Sequence, residues 1–252
     1  MDTIDNKEKV FDAERIVNIV IAILGFVIML LGALLFHKPR LSTVLISVGA
    51  SMVASAIVAF LSSVYIRQYR HAKELTEYWG LSSIEDKRAI MNYRIARIMN
   101  DTKLNYDLIA FGLKSLREGN PQGVSALLQR GAKIRIITVD PNTKALEERD
   151  IEENEIVGHT ADTIRQLIKW VENLSGQYPN QCEIRLARFL PTEYYCREDN
   201  YIYVGPYQHG KNSQQTITTE FKKGGQGFEY YEQYFEKLWN DPEYCSQLGQ
   251  HK

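Results

Sequence analysis

Two long apolar runs stand back to back near the start of the chain, and they constrain its fold more than any other feature. Residues 16–36 read IVNIVIAILGFVIMLLGALLF, with Asn18 the one strongly polar side chain. Residues 41–66 read LSTVLISVGASMVASAIVAFLSSVYI and carry no charge. About 20 apolar residues suffice for a helix to cross the hydrocarbon core of a bilayer. Only His37, Lys38, Pro39 and Arg40 separate the runs, so the chain must turn straight back. The expected element is a transmembrane helical hairpin over residues 16–66, with spans at 16–36 and 42–66. A secretory signal fits poorly, because its apolar stretch is about 7–15 residues and ends in a cleavage site rather than a second span.

Basic residues near span ends set orientation. Lys7, Lys9 and Arg15 precede the first span, and Arg67, Arg70 and Lys73 follow the second, against Lys38 and Arg40 in the connection. The excess puts both termini, including the tail at 1–15, on the cytoplasmic side. Within the second span Ser47, Ser51 and Ser55 recur every four residues, as do Ala50 and Ala54. Small residues at this spacing let transmembrane helices approach closely. Packing against the first span is the expectation; a seam between hairpins of a homo-oligomer is the alternative.

From residue 67 onward the chain is polar and long enough for one domain with its own core. Lys plus Arg total 30 and Asp plus Glu 31, which excludes the basic excess that duplex nucleic acid demands. Cys182, Cys196 and Cys245 are odd in number and fit no metal pattern, so reduced thiols, no metal and no cofactor are expected.

Residues 67–105 read as a juxtamembrane linker and helix. Ser82 and Glu85 look like a capping box, opening a helix that carries Ile84, Ile90, Met91, Ile95, Ile98 and Met99. Residues 106–252 read as the soluble domain proper. Strands are expected at 106–112, 133–139 and 183–189. Asn120-Pro121 begins a helix that Gly131 stops. A hairpin turns at Glu198-Asp199-Asn200, residues 214–221 alternate as a strand would, and FEYYEQYFEKLW at 228–239 is an aromatic helix. Alternating strands and helices followed by a hairpin-rich end predict an α/β domain with a mixed sheet.

This order, with the phrases DLIAFGLK (107–114), LLQRGAKIRIITVDPN (127–142), YIYVGPYQHGK (201–211) and a closing helix ending in Leu-Trp, resembles the phospholipase D-like fold. Enzymes of that family use His-x-Lys-x4-Asp, in which His acts on the phosphodiester, Lys holds phosphate and Asp orients the His. His209 and Lys211 match the first two positions, whereas Thr216 stands where Asp would be. A hydroxyl cannot stabilise an imidazolium as a carboxylate does, so no catalytic residue is assigned. The resemblance implies a degenerate, single-motif domain that keeps a phosphate-binding surface. Lys114, Ser115, Arg188, Tyr207, His209, Lys211 and Thr216 are its candidate ligand-binding residues, Lys and Arg for phosphate and Tyr for stacking on a base.

The two-span architecture resembles membrane effectors of bacterial nucleotide-signalling antiphage defence. That likeness implies a multi-pass protein of the bacterial inner membrane. It would sense a small phosphate-containing ligand, a cyclic nucleotide being one candidate, and disrupt membrane integrity. The alternative is a membrane-anchored phosphodiesterase, nuclease or phospholipase.

Overall fold

The computed structural model describes residues 2–34 and 39–248; His37 and Lys38, at the centre of the expected turn, lie outside the described residues. The chain divides into two units, Met1–Lys73 and Glu74–Lys252.

The first unit is a helix pair, α1 (Asp2–Leu34) and α2 (Pro39–Lys73), packed against each other. Both helices contain stretches long and apolar enough to cross a membrane. Glycine makes the seam: a Cβ on Gly49 would lie 2.5 Å from the Gly25 carbonyl oxygen. The Ser42 hydroxyl donates to the Gly32 carbonyl at 2.8 Å, and Ala56 is buried. Such close backbone approach is how helices gain contact in lipid. The expectation that Ser47, Ser51, Ser55, Ala50 and Ala54 fill this seam is not met, because all five are exposed. The reason is angular. The seam of α2 runs through Ser42, Leu45, Gly49, Met52 and Ala56, and a residue two positions away is turned to nearly the opposite side.

The second unit opens with one π-helical turn (Glu74–Tyr78) and then builds an eight-stranded sheet, order β1-β7-β6-β5-β2-β3-β4-β8. The strands are β1 (Leu81–Glu85), β2 (Asn105–Ile109), β3 (Lys133–Val139), β4 (Cys182–Ala187), β5 (Glu193–Glu198), β6 (Tyr201–Pro206), β7 (Thr218–Lys222) and β8 (Cys245–Gln247). β2, β3 and β4 run parallel; the other pairings are antiparallel. The mixed α/β sheet is therefore as the sequence predicts. One face is covered by α3 (Arg88–Ile98), α5 (Pro121–Gln129) and α7 (His159–Gln177), the other by α8 (Gln226–Asn240). α7 buries Ala161, Ile164, Leu167, Val171 and Leu174, a stripe at helical period. Short helices α4 (Lys114–Gly119) and α6 (Ala145–Glu152) complete the order.

Local signals explain most boundaries. Asn120 caps α5, its side chain accepting from the Gly123 N–H at 3.1 Å, with Pro121 in the first turn. Gly131 ends that helix at φ +88°. Asp199, at φ +44°, sits in the two-residue hairpin turn, and its carboxylate accepts from the N–H groups of Lys103, Leu104 and Asn105. The capping box at Ser82 and Glu85 is overturned. Leu81–Glu85 is strand β1, paired with β7, and the helix starts at Arg88. The segment LSSIE has one β-branched residue and no apolar alternation; the partner edge of β7 decides, and tertiary pairing outweighs a cap that binds no helix end. The strand expected from 214 instead begins at Thr218, after a 3-10 turn (Ser213–Gln215).

Candidate anion-binding site

In open sheets ligands bind outside the carboxyl ends of parallel strands, where the topology changes. Here β2 pairs with parallel β3 on one side and antiparallel β5 on the other. A cavity of about 480 Å³ opens at that end, within the usual range of ligand pockets, ~300–1,000 Å³. Its floor is the turn from β2 into α4. Gly112 is needed there, since a Cβ would come within 2.4 Å of the Thr163 hydroxyl on α7. Leu113 follows at φ +46°, a conformation a leucine adopts only when its surroundings impose it.

The decisive residue is Arg88, which lines the cavity from the first turn of α3. It is 5% exposed, yet its Nε and Nη1 have no hydrogen-bond partner. Its guanidinium lies 4.7 Å from the Tyr194 ring centre and 5.5 Å from that of Tyr207, and it hydrogen-bonds the Tyr207 hydroxyl. Arg149 of α6 also lines the cavity, 4.2 Å from the Phe111 ring and 4.6 Å from Tyr207, and it pairs with Glu153. Burial raises the Glu153 carboxyl above its ordinary pKa, against the pull of Arg149 and Arg88. Buried charged N–H groups without an acceptor are costly. A carboxyl answers by taking a proton, but a guanidinium cannot shed its charge. An anion entering the cavity would supply what Arg88 lacks.

The amino end of α7 offers no second anion site. Asp150 already accepts from the Gly158 and Thr160 N–H groups, at 2.7 and 3.0 Å. Among the described residues no group of three His, Cys, Asp or Glu side chains is placed to hold a metal ion. The three cysteines are buried with free thiols.

Of the residues singled out from sequence, Lys114, Ser115 and Tyr207 line the cavity. Tyr207 serves there as a cushion for two guanidiniums rather than as an open stacking face. Arg188 is exposed away from the cavity, its N–H donating to the Tyr244 carbonyl. Lys211 is exposed and lies outside the lining. Thr216 is fully buried; its hydroxyl donates to the Ser213 carbonyl, and its own carbonyl accepts from the Arg88 N–H. His209 also lies outside the lining, with its side chain 84% exposed. Its Nδ1 is 2.7 Å from Glu152 Oε1, so a carboxylate does face the imidazole, from α6 rather than from the expected position. Arg88, Arg149 and Asn92 were missed by the motif reading. A signal for Arg88 was present: it shares a helical stripe with Met91, Ile95 and Met99, a charge at a core position.

No family model matches the chain, and no curated protein matches it. Similar solved structures include NucT from Helicobacter pylori (11% identity, TM-score 0.44, 66% of this chain and 98% of that one). Phosphatidylserine synthase from Haemophilus influenzae is another (14%, 0.46, 63% of this chain and 37% of that one). A third is Nuc from Salmonella typhimurium, a phospholipase D family member (12%, 0.36, 63% of this chain and 94% of that one). At these identities and TM-scores the likeness carries no conclusion about what this chain binds or does.

Proposed function

We propose that this protein is a membrane-anchored receptor for a small phosphate-bearing ligand, bound in the cavity at Arg88, and that binding acts on the hairpin. The observation that carries the reading is the buried Arg88 guanidinium with two unpartnered nitrogens. Charge-assisted hydrogen bonds to such a group are worth about 1.5–3 kcal/mol. Arg88 is also close to the membrane helix along the chain: only the π turn and β1 separate α2 from α3. A ligand shifts the hairpin only by its differential affinity for two states. The likeness to two-span antiphage effectors supplies the outcome in this proposal, loss of membrane integrity at a bacterial inner membrane. Both termini are placed in the cytoplasm by the Lys and Arg distribution, and copies of the hairpin would meet along the outward Ser and Ala stripe. Titrating inorganic phosphate into the full chain in nanodiscs tests the core of the proposal. Saturable binding that Arg88→Gln weakens at least about tenfold is expected; equal binding by both proteins overturns it. A reporter fused after Lys252 that is active only outside the cytoplasm would reverse the topology.

A second reading, a membrane-anchored phosphodiesterase, is favoured by the His209–Glu152 pair. A carboxylate at Nδ1 leaves Nε2 for chemistry. Turnover of a phosphodiester by the full chain, lost in His209→Ala and in Glu152→Gln, would replace the receptor by the enzyme.

A further inference from the structure

The same cavity also restricts what kind of phosphate compound it takes, given the reading of Arg88 as its anion site. Three observations bear on this. First, the aromatic rings of the wall, Phe111, Tyr194 and Tyr207, each already carry a guanidinium within 4.2–5.5 Å of the ring centre. A nucleobase would have to displace an arginine to stack. Second, the lining is near charge balance: Arg88, Lys114 and Arg149 face Glu118, Glu153 and Glu155, with His159 beside them. That balance suits one anionic group and opposes a polyanion. Third, an amide pair stands in the wall beside Arg88. Asn92, one turn along α3, donates from Nδ2 to Gln214 Oε1 at 2.8 Å. The bond leaves one amide oxygen and one whole NH2 group unspent, whichever way the two amides are turned. A donor beside an acceptor is the complement of a hydroxyl, which both gives and receives.

We infer that the ligand is a phosphorylated polyol or sugar, its single phosphate at Arg88 and its hydroxyls on Asn92 and Gln214, rather than a nucleotide. The test is isothermal titration calorimetry on the full chain in phosphatidylcholine nanodiscs, with inorganic phosphate, glycerol 3-phosphate, glucose 6-phosphate, glucose and AMP. Two neutral hydrogen bonds are worth roughly tenfold in affinity. At least one of the two polyol phosphates should therefore bind about tenfold tighter than phosphate and tighter than AMP, and glucose should not bind. Gln214→Leu should bring the ratio of polyol phosphate to phosphate affinity toward one. AMP binding tightest, or both polyol phosphates matching inorganic phosphate in the wild type, overturns the inference while leaving the anion site standing. No binding by any phosphate compound overturns both. If Gln214→Leu fails to fold, the wild-type ranking alone decides. Repeating the titration with phosphatidylglycerol in the disc separates a free ligand from a lipid headgroup, since a resident headgroup weakens the apparent affinity for glycerol 3-phosphate. An unchanged affinity assigns the free compound, and either result keeps the phosphorylated-polyol class.

Discussion

The sheet of the second unit carries an arginine–aromatic cluster on each face, and the two differ in one respect. Under α8, Arg135 is bound on both sides: its Nε and Nη2 donate to Asp107 at 2.7 and 2.9 Å, and its Nη1 and Nη2 to Glu236. Arg197 reaches Asp107 and Glu232. Phe235 and Trp239 cover Arg135, and Phe228 covers Arg197. On the α3 face Arg88 has the aromatic cover of Tyr194 and Tyr207 but two unpartnered nitrogens. The same chemistry thus closes on itself where carboxylates bond the guanidinium directly, and in the proposed reading it leaves room for a ligand where no carboxylate reaches Arg88 Nε or Nη1. Two unbonded nitrogens, not the presence of arginine, are what set the proposed site apart.

The largest expected effect breaks the closed cluster. Asp107→Ala removes the buried carboxylate that Arg135 and Arg197 share, leaving each with one exposed-side partner, Glu236 or Glu232, and should lower the unfolding free energy by about 3–5 kcal/mol, read by denaturant titration of the full chain. Arg88→Met should do the opposite in the open cluster. Phosphate affinity should fall roughly tenfold or more, about 1.5–3 kcal/mol, while the melting temperature holds or rises. If Arg88→Met destabilises as much as Asp107→Ala, the two clusters are alike and the distinction fails.

Glu198 sharpens the comparison with a carboxylate. It is 1% exposed, both of its oxygens lack partners, and burial raises its pKa well above the ordinary value. It is not part of the Arg88 cavity lining, and a carboxyl can meet its need by keeping a proton. The folded state then binds more protons than the unfolded one above the ordinary Glu pKa. Stability is therefore full below that value and falls as pH rises toward the folded pKa. Glu198→Gln should flatten this decline, gaining about 1 kcal/mol at alkaline pH and little in acid; a parallel decline in both proteins would assign the pH dependence elsewhere. Glu153 titrates in the same sense beside the cavity. Its protonation frees Arg149, so affinity for sulfate, whose charge is constant near neutral pH, should rise modestly as pH falls, and Glu153→Gln should reduce that slope in calorimetric titrations, any remainder belonging to His159 in the same lining. The smallest effect belongs to His209→Ala, which should leave phosphate binding within about twofold, because its side chain lies outside the cavity.

Much of the fold was legible in the sequence because local physics dictated it. Uncharged length made the helix pair, Asn120-Pro121 and Gly131 bounded α5, and Asp199 turned the β5–β6 hairpin. β1 was misread because Leu81–Glu85 carries a cap pattern and no clear strand pattern, and only the edge of β7 makes it a strand. The outward stripe of α2 was misassigned for a related reason: spacing shows which small residues share a face, not which face meets α1. At the site, Lys114, Ser115 and Tyr207 follow from strand ends, a rule of topology that sequence order can reach. The packing of Arg88 between Tyr194 and Tyr207, with its Nε and Nη1 unbonded, and the approach of Glu152 to His209 depend on contacts between distant segments. The sequence by itself determined periodicity, caps and turns, since these are set by neighbours within a few residues. The tertiary structure alone decided which charges are satisfied, because a buried guanidinium's partners come from whichever strands and helices the fold brings around it.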